Sequence, residues 1–225
     1  MLKSIYNKMW NDSLEKISRN ELELDPFIND PDDKRRGITL QAKPGIEIQD
    51  LFNKFLQEAK KIEPDQYFYK QDEMHITILS IINCSKEFNL SRIFLPDYFE
   101  QIENSLISAQ PFEIEFRGIT ASPSCILIQG FPGNNSLELI RNRLREEFAA
   151  GDIYNSIDAR YRIKTAHCTV IRFIKELKDK QKFIRFLEDY RDYYFGKTLI
   201  TKLELVYTDW YNKNDIVQVL QKFIL

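Results

Sequence analysis

The chain's only two histidines fall in two similar five-residue stretches, His-Ile-Thr-Ile-Leu at 75–79 and His-Cys-Thr-Val-Ile at 167–171. Each places a threonine two positions after the histidine and apolar residues in the slots beside it. A β-strand sends alternate side chains to opposite faces, so His and Thr two apart share a face about 6.5 to 7 Å apart along the backbone. Ile76 and Ile78, and likewise Cys168 and Val170, then point into the opposite layer. Each stretch therefore predicts a strand with a dry face on a core and a His/Thr face free to floor a cleft. With eight threonines in 225 residues, both histidines acquire threonine at +2 by chance roughly once in 800.

The surrounding pattern has the same order twice. Residues 37–44 predict a strand closed by Pro44. Residues 48–62 repeat apolar positions at helical spacing and stop at Pro64. A strand over 67–82 carries the first stretch, and a helix over 93–108 follows. Strands at 112–119 and 124–131 precede a helix over 136–151, with Ser136 as its N-cap and Gly151 after its end. A strand over 161–174 carries the second stretch, then a helix over 179–195. The chain closes on a hairpin turning near Asn212–Asp215. This order implies an α+β fold: two pseudo-symmetric lobes with largely antiparallel sheets, flanked by helices around a central cleft. Residues 1–36 read as a helical extension, with Ile5, Met9, Trp10, Leu14 and Ile17 at docking spacing. They lead into an acidic, proline-marked stretch and take a packing or lid role. Residues 37–225 form the main domain.

Apolar residues make up 43% of the chain and charged residues 29%, and the net charge is −2. A protein that tracks long nucleic acid is usually strongly basic, so a nucleic-acid partner is expected to be short or gripped locally. Cys84, Cys125 and Cys168 are far apart, and with two distant histidines they form no standard zinc spacing. An odd cysteine count without a disulfide pattern points to a reducing compartment. No stretch has the length of a signal sequence's apolar run or a membrane span. The expectation is a cytoplasmic monomer with no membrane contact, no metal and no cofactor.

Two imidazoles and two hydroxyls facing one small volume suit phosphodiester chemistry. Imidazole titrates near pH 6.5, so one ring can accept a proton from an attacking hydroxyl or water while the other protonates the leaving oxygen. Threonine hydroxyls can donate to the non-bridging phosphate oxygens. His75, Thr77, His167 and Thr169 are therefore the candidate catalytic residues.

Paired H-x-T-hydrophobic stretches on two strands resemble the signature of the two-histidine (2H) phosphoesterases. This superfamily includes the 2′,5′ RNA ligase and RNA 2′,3′-cyclic phosphodiesterase proteins. The resemblance extends to Arg172, three residues after the second threonine, and to the closing Leu-Glu-Leu-Val-Tyr…Lys-Phe-Ile-Leu hairpin, and it spans roughly residues 37–225. It implies a bilobal fold with the site between the lobes. It also implies metal-independent opening of a 2′,3′-cyclic phosphate, or cleavage or ligation of 2′,5′ linkages, on a small nucleotide or RNA end. His75 is then the proton donor and His167 the acceptor, with the roles exchanged in the reverse direction. Cyclic oligonucleotides and 2′,5′-linked oligoadenylates stay open as substrates, and so does a nucleotide-binding module without turnover. The extension at 1–36 is not part of the minimal family pattern. Cys168 stands where an aliphatic residue is frequent and reads as a small core residue.

Three further residues are candidates for substrate binding. Arg172 either binds phosphate or forms a structural ion pair; strict alternation turns it away from His167 unless the strand bulges. Tyr161 shares the parity of His167, and Tyr69 that of His75, and either ring can stack on a base. Arg162, Lys164 and the glutamates at 146–147 read as solvated.

Overall fold

In the computed structural model, which describes residues 2–225, nine strands form two antiparallel sheets and five helices cover them. The first sheet has the order β3 (Ile76–Ser85), β1 (Arg36–Ala42), β8 (Lys202–Thr208), β9 (Gln218–Ile224). The second has the order β2 (Tyr67–Phe68), β6 (Cys168–Arg172), β5 (Cys125–Pro132), β4 (Phe112–Ser122), β7 (Tyr194–Ile200).

The helices obey their apolar stripes. α2 (Ile46–Ile62) buries Ile48, Phe52, Phe55, Leu56 and Ala59, one face at i, i+3/i+4 spacing. Phe52 meets Phe116 and Phe195 edge-on at centroid distances of 5.1 and 5.4 Å, which fastens α2 to the second sheet. α3 (Leu95–Leu106) starts with Pro96 in its first turn, where a missing N–H is harmless. α4 (Ser136–Ala150) reaches across to β3 of the first sheet and packs on α3. Ser136 is the first helical residue of α4 rather than its cap; its N–H is taken by the Asn134 side chain at 3.0 Å. In α5 (Lys180–Asp189), the Asp179 carboxylate accepts the Lys182 N–H at 3.0 Å and sets the start.

α1 (Leu2–Ser18) buries Tyr6, Trp10, Ser13 and Ile17 against the second sheet. Tyr6 hydroxyl donates to the Gly130 carbonyl and accepts from the Ala166 N–H, both at 3.1 Å. A Cβ on Gly130 would sit 1.9 Å from the Ala166 oxygen, so only glycine lets β5 approach the segment that leads to His167 this closely.

Several sequence expectations change in the structure. The strand expected over 67–82 is cut by a 3-10 turn at Gln71–Glu73. Its first part, β2, pairs with β6 in the second sheet (Tyr67↔Arg172, Phe68↔Ile171), and its second part, β3, belongs to the first sheet. The strand expected over 161–174 is regular only from Cys168 to Arg172. The helix expected over 179–195 stops at Asp189, and Tyr194–Ile200 becomes β7. β7 and β8 are separated by a single residue yet lie in different sheets. The closing hairpin forms between β8 and β9, with residues 209–217 as its connection.

Candidate active site

The two His/Thr stretches meet between the sheets. His75 stands just before β3 and His167 just before β6. Ile76, Ile78, Cys168 and Val170 are wholly buried, while His75, Thr77, His167 and Thr169 face a common cavity of about 160 Å³. The Cys168 thiol feels the His75 backbone N–H, in keeping with both histidines lining the one cavity. Tyr69, Tyr161 and Arg172 line the same cavity. Larger concavities elsewhere on the surface contain neither histidine.

Both motif strands bulge at the same place. Gln41 pairs with Thr77 but Leu40 pairs with Leu79, leaving Ile78 as an extra residue. Leu127 pairs with Thr169 but Ile126 pairs with Ile171, leaving Val170 as an extra residue. An inserted residue resets the alternation. Arg172, which strict alternation turns away, therefore comes round to the cavity, and so does Ser80, the residue at the same offset from His75.

Each imidazole is tied back through Nδ1. His75 Nδ1 donates to the Glu73 carbonyl at 2.8 Å, and the same carbonyl accepts from Asn212 Nδ2 at 3.1 Å. Asn212 is buried and holds a left-handed φ of 59°, a conformation asparagine tolerates. The Glu73 carboxylate is itself fixed by the Tyr67 hydroxyl at 2.8 Å and the Lys70 N–H at 2.9 Å. His167 Nδ1 shares a 2.8 Å hydrogen bond with the Thr165 hydroxyl. Both rings thus leave Nε2 for a ligand.

The buried cation Arg141 joins the two lobes behind the histidines. From α4 its Nε donates to the Ile78 carbonyl, and its second terminal nitrogen donates to both the Thr77 and Thr165 carbonyls, each at 2.8 Å. It thus ties the first motif directly to the residue that orients His167.

Burial and charge lower both imidazole pKa values. For His75, burial outweighs the carbonyl bond from Glu73, and Lys43 adds to the depression. For His167, burial comes first, then the charges of Arg141 and His75, and the value falls to about 4. Both rings are therefore neutral at pH 7 before an anion binds. A stability consequence follows from linkage: an unfolded His167 protonates near pH 6.5, whereas the folded one resists until about 4. Between those values the unfolded state binds more protons, so stability is fully present above about pH 6.5 and is lost as pH falls. Denaturant midpoints measured from pH 7 to 4 should decline, and His167→Gln should decline less steeply. Equal slopes for both proteins would contradict the depressed value.

Further residues at the cavity were not singled out from the sequence. Thr39 and Gln41 alternate with the buried Ile38 and Leu40 in β1, a signal of the same kind as the histidine stretches. Gln41 is wholly buried with neither amide atom bonded to the described residues, directly across from Thr77. Arg160 and Trp210 stack at the rim at 4.4 Å, joined only by the tertiary fold. Tyr161 is 65% exposed at the mouth, whereas Tyr69 is buried and its hydroxyl accepts from Arg172 Nε at 3.3 Å. Tyr69 thus has no free face for a base. Arg162 and Lys164 are exposed, as expected. The three cysteines are free and buried. Among the described residues, no group of three or more His, Cys, Asp or Glu is placed to hold a metal ion, and no helix is long and apolar enough to cross a membrane.

The family model of the AKAP7 2′5′ RNA ligase-like domain matches residues 43–222. The chain belongs to this family, within the 2H phosphoesterases. Membership supports a phosphodiesterase-type function for this 2H protein. Solved structures share the fold. TT0787 of Thermus thermophilus superposes with a TM-score of 0.58 at 16% identity, covering 84% of this chain and 97% of that one. E. coli LigT complexed with 3′-AMP gives 0.57 at 11% identity, covering 85% and 98%. ATU0111 from Agrobacterium tumefaciens str. C58 gives 0.55 at 13% identity, covering 92% and 97%. No curated protein matches the chain.

Proposed function

We propose that this 2H protein hydrolyses the 2′,3′-cyclic phosphate of a small nucleotide or RNA end, with His167 as base and His75 as acid. The observation that carries this reading is the pair of imidazoles, each tied back through Nδ1, facing one cavity beside two threonine hydroxyls. His167, beside the Arg141 cation, stays neutral and takes a proton from water as its oxygen attacks phosphorus. The Glu73 carbonyl on Nδ1 favours the imidazolium of His75. The phosphate anion adds to that effect, so His75 acquires its proton with substrate bound and passes it to the departing ribose oxygen. One P–O bond forms and one breaks, and the product is a phosphomonoester beside a free hydroxyl. Thr77, Thr169 and Arg172 donate to the oxygens on which charge gathers. A cavity of about 160 Å³ has room for a phosphate and the adjoining sugar atoms, with Tyr161 and Trp210 at the mouth for a base. Solved LigT structures holding 3′-AMP, NADP+, ATP and phosphate support a ligand of nucleotide class.

The test is turnover of 2′,3′-cyclic mononucleotides beside 2′,5′- and 3′,5′-linked dinucleotides and a cyclic dinucleotide, all in chelator. Ring opening of the cyclic mononucleotides alone is the expected result. Cleavage of only a linked or cyclic dinucleotide moves the substrate while keeping the chemistry. Binding without any turnover would make the cleft a receptor.

A further inference from the structure

The segment between α1 and β1 reaches the cavity wall, although it lies outside the stretch the family model matches. Asp25 is its point of contact. Its backbone N–H bonds the Phe173 carbonyl at 2.8 Å, just past the end of β6. Its Oδ1 accepts from the Phe27 and Ile28 N–H groups at 3.0 and 3.1 Å and from the Tyr211 hydroxyl at 2.7 Å. Its Oδ2 lies 3.6 Å from a terminal nitrogen of Arg172, and both side chains are nearly buried, at 11% and 12% exposure. Tyr211 in turn accepts from Arg35 at 2.9 Å, and Arg35 forms a fork with Asp33, so the segment is fastened at both ends.

Arg172 is held on three sides by this arrangement. Tyr69 hydroxyl takes its Nε, Asp25 takes one terminal nitrogen, and the Tyr211 ring lies 5.4 Å from the guanidinium carbon. The other terminal nitrogen has no protein partner among the described residues, and the side chain lines the cavity. A guanidinium is a planar fork whose value to a phosphate depends on its orientation.

We propose that Asp25 is a positioning residue that locks Arg172 with its free edge toward the substrate phosphate, making the N-terminal segment part of the binding site. This rests on the phosphate reading of the cleft. The sign of the effect separates positioning from plain electrostatics. A carboxylate near a bound anion repels it, so Coulomb's law alone makes loss of Asp25 tighten phosphate binding. Positioning makes the same loss weaken it.

The experiment measures 3′-AMP and inorganic phosphate affinity by calorimetry for wild type, Asp25→Ala, Asp25→Asn, Arg172→Ala and the Asp25→Ala/Arg172→Ala pair. Asp25→Asn keeps an oxygen for Tyr211 and the two backbone N–H groups but turns an uncharged amide toward Arg172, so it separates the contact from folding of the segment. Both single Asp25 variants should weaken binding about 5- to 20-fold, with Asp25→Asn melting close to wild type. The double variant should match Arg172→Ala within about twofold, because Asp25 acts through Arg172. Unchanged or tighter binding in Asp25→Asn overturns the inference. So does an Asp25→Ala penalty that persists in full without Arg172, the mark of a merely structural role. Wild type that binds neither probe overturns the phosphate reading itself, and this inference with it, a failure distinct from the other two.

Discussion

Replacing either histidine by alanine should remove nearly all turnover of whichever phosphodiester the wild type cleaves. Proton transfer by one positioned side chain is typically worth about 10²- to 10⁴-fold. Both His75→Ala and His167→Ala should lose kcat/KM on that scale. The double variant should lose little more than the worse single one, because two groups acting in one proton relay do not contribute independently. Binding should distinguish the two. His167 is neutral before substrate binds, held so by burial and the Arg141 charge, so its removal takes little attraction for an anion away. His75 gains its proton beside the bound anion, so its removal should also weaken product affinity. The pH profile of kcat/KM gives an independent check, since burial pushes both rings below the usual imidazole value. The acidic limb, where the base is lost, should fall well below pH 6.5. Single variants that keep more than about a tenth of wild-type turnover, with chemistry rate-limiting, would dismiss two-histidine catalysis.

The second large effect belongs to Arg141. Its side chain is 4% exposed and satisfies the Thr77, Ile78 and Thr165 carbonyls. Burial lowers its pKa to about 10, still high enough to keep the charge at neutral pH. Arg141→Met preserves most of the volume but leaves three acceptors bare. Each hydrogen bond to a charged group contributes about 1.5 to 3 kcal/mol, and the removed cation no longer has to be desolvated. A net loss of about 3 to 5 kcal/mol is expected, seen as a lower denaturant midpoint with unchanged slope. Arg141→Lys keeps a charge but lacks the fork needed to span two strands and should fall between. In the surviving folded fraction His167 should titrate higher, because the second cause of its depression is gone. A loss under about 1 kcal/mol would show that the three carbonyls find other donors.

The seven residues singled out from the sequence line one cavity, and the cues that marked the four His/Thr positions are local. Alternation within five residues is enough to put His75 with Thr77 and His167 with Thr169, and apolar neighbours are enough to bury the other face. α2 and α3 were legible for the same reason. Each carries its own stripe and has a proline at one boundary.

What the sequence by itself determined, then, is which side chains share a face and where most helices run, since both follow from backbone periodicity over a few residues. Only the tertiary structure decided which faces meet. The extra residues Ile78 and Val170 are visible only against their partners Gln41, Leu40, Leu127 and Ile126, and they turn Ser80 and Arg172 into the cavity. The chain also crosses between sheets where its pattern reads as continuous. β2 leaves the first motif's strand to pair with β6, and β7 parts from β8 after one residue. α2 follows the first-sheet strand β1 but packs on the second sheet, while α4 connects second-sheet strands and touches β3 of the first. Asp25 meets Arg172, and Arg141 meets Thr77 and Thr165, through contacts between distant parts of the chain. Such contacts form because burying apolar faces against each other is favourable wherever complementary faces occur along the chain, and that matching leaves no period to read.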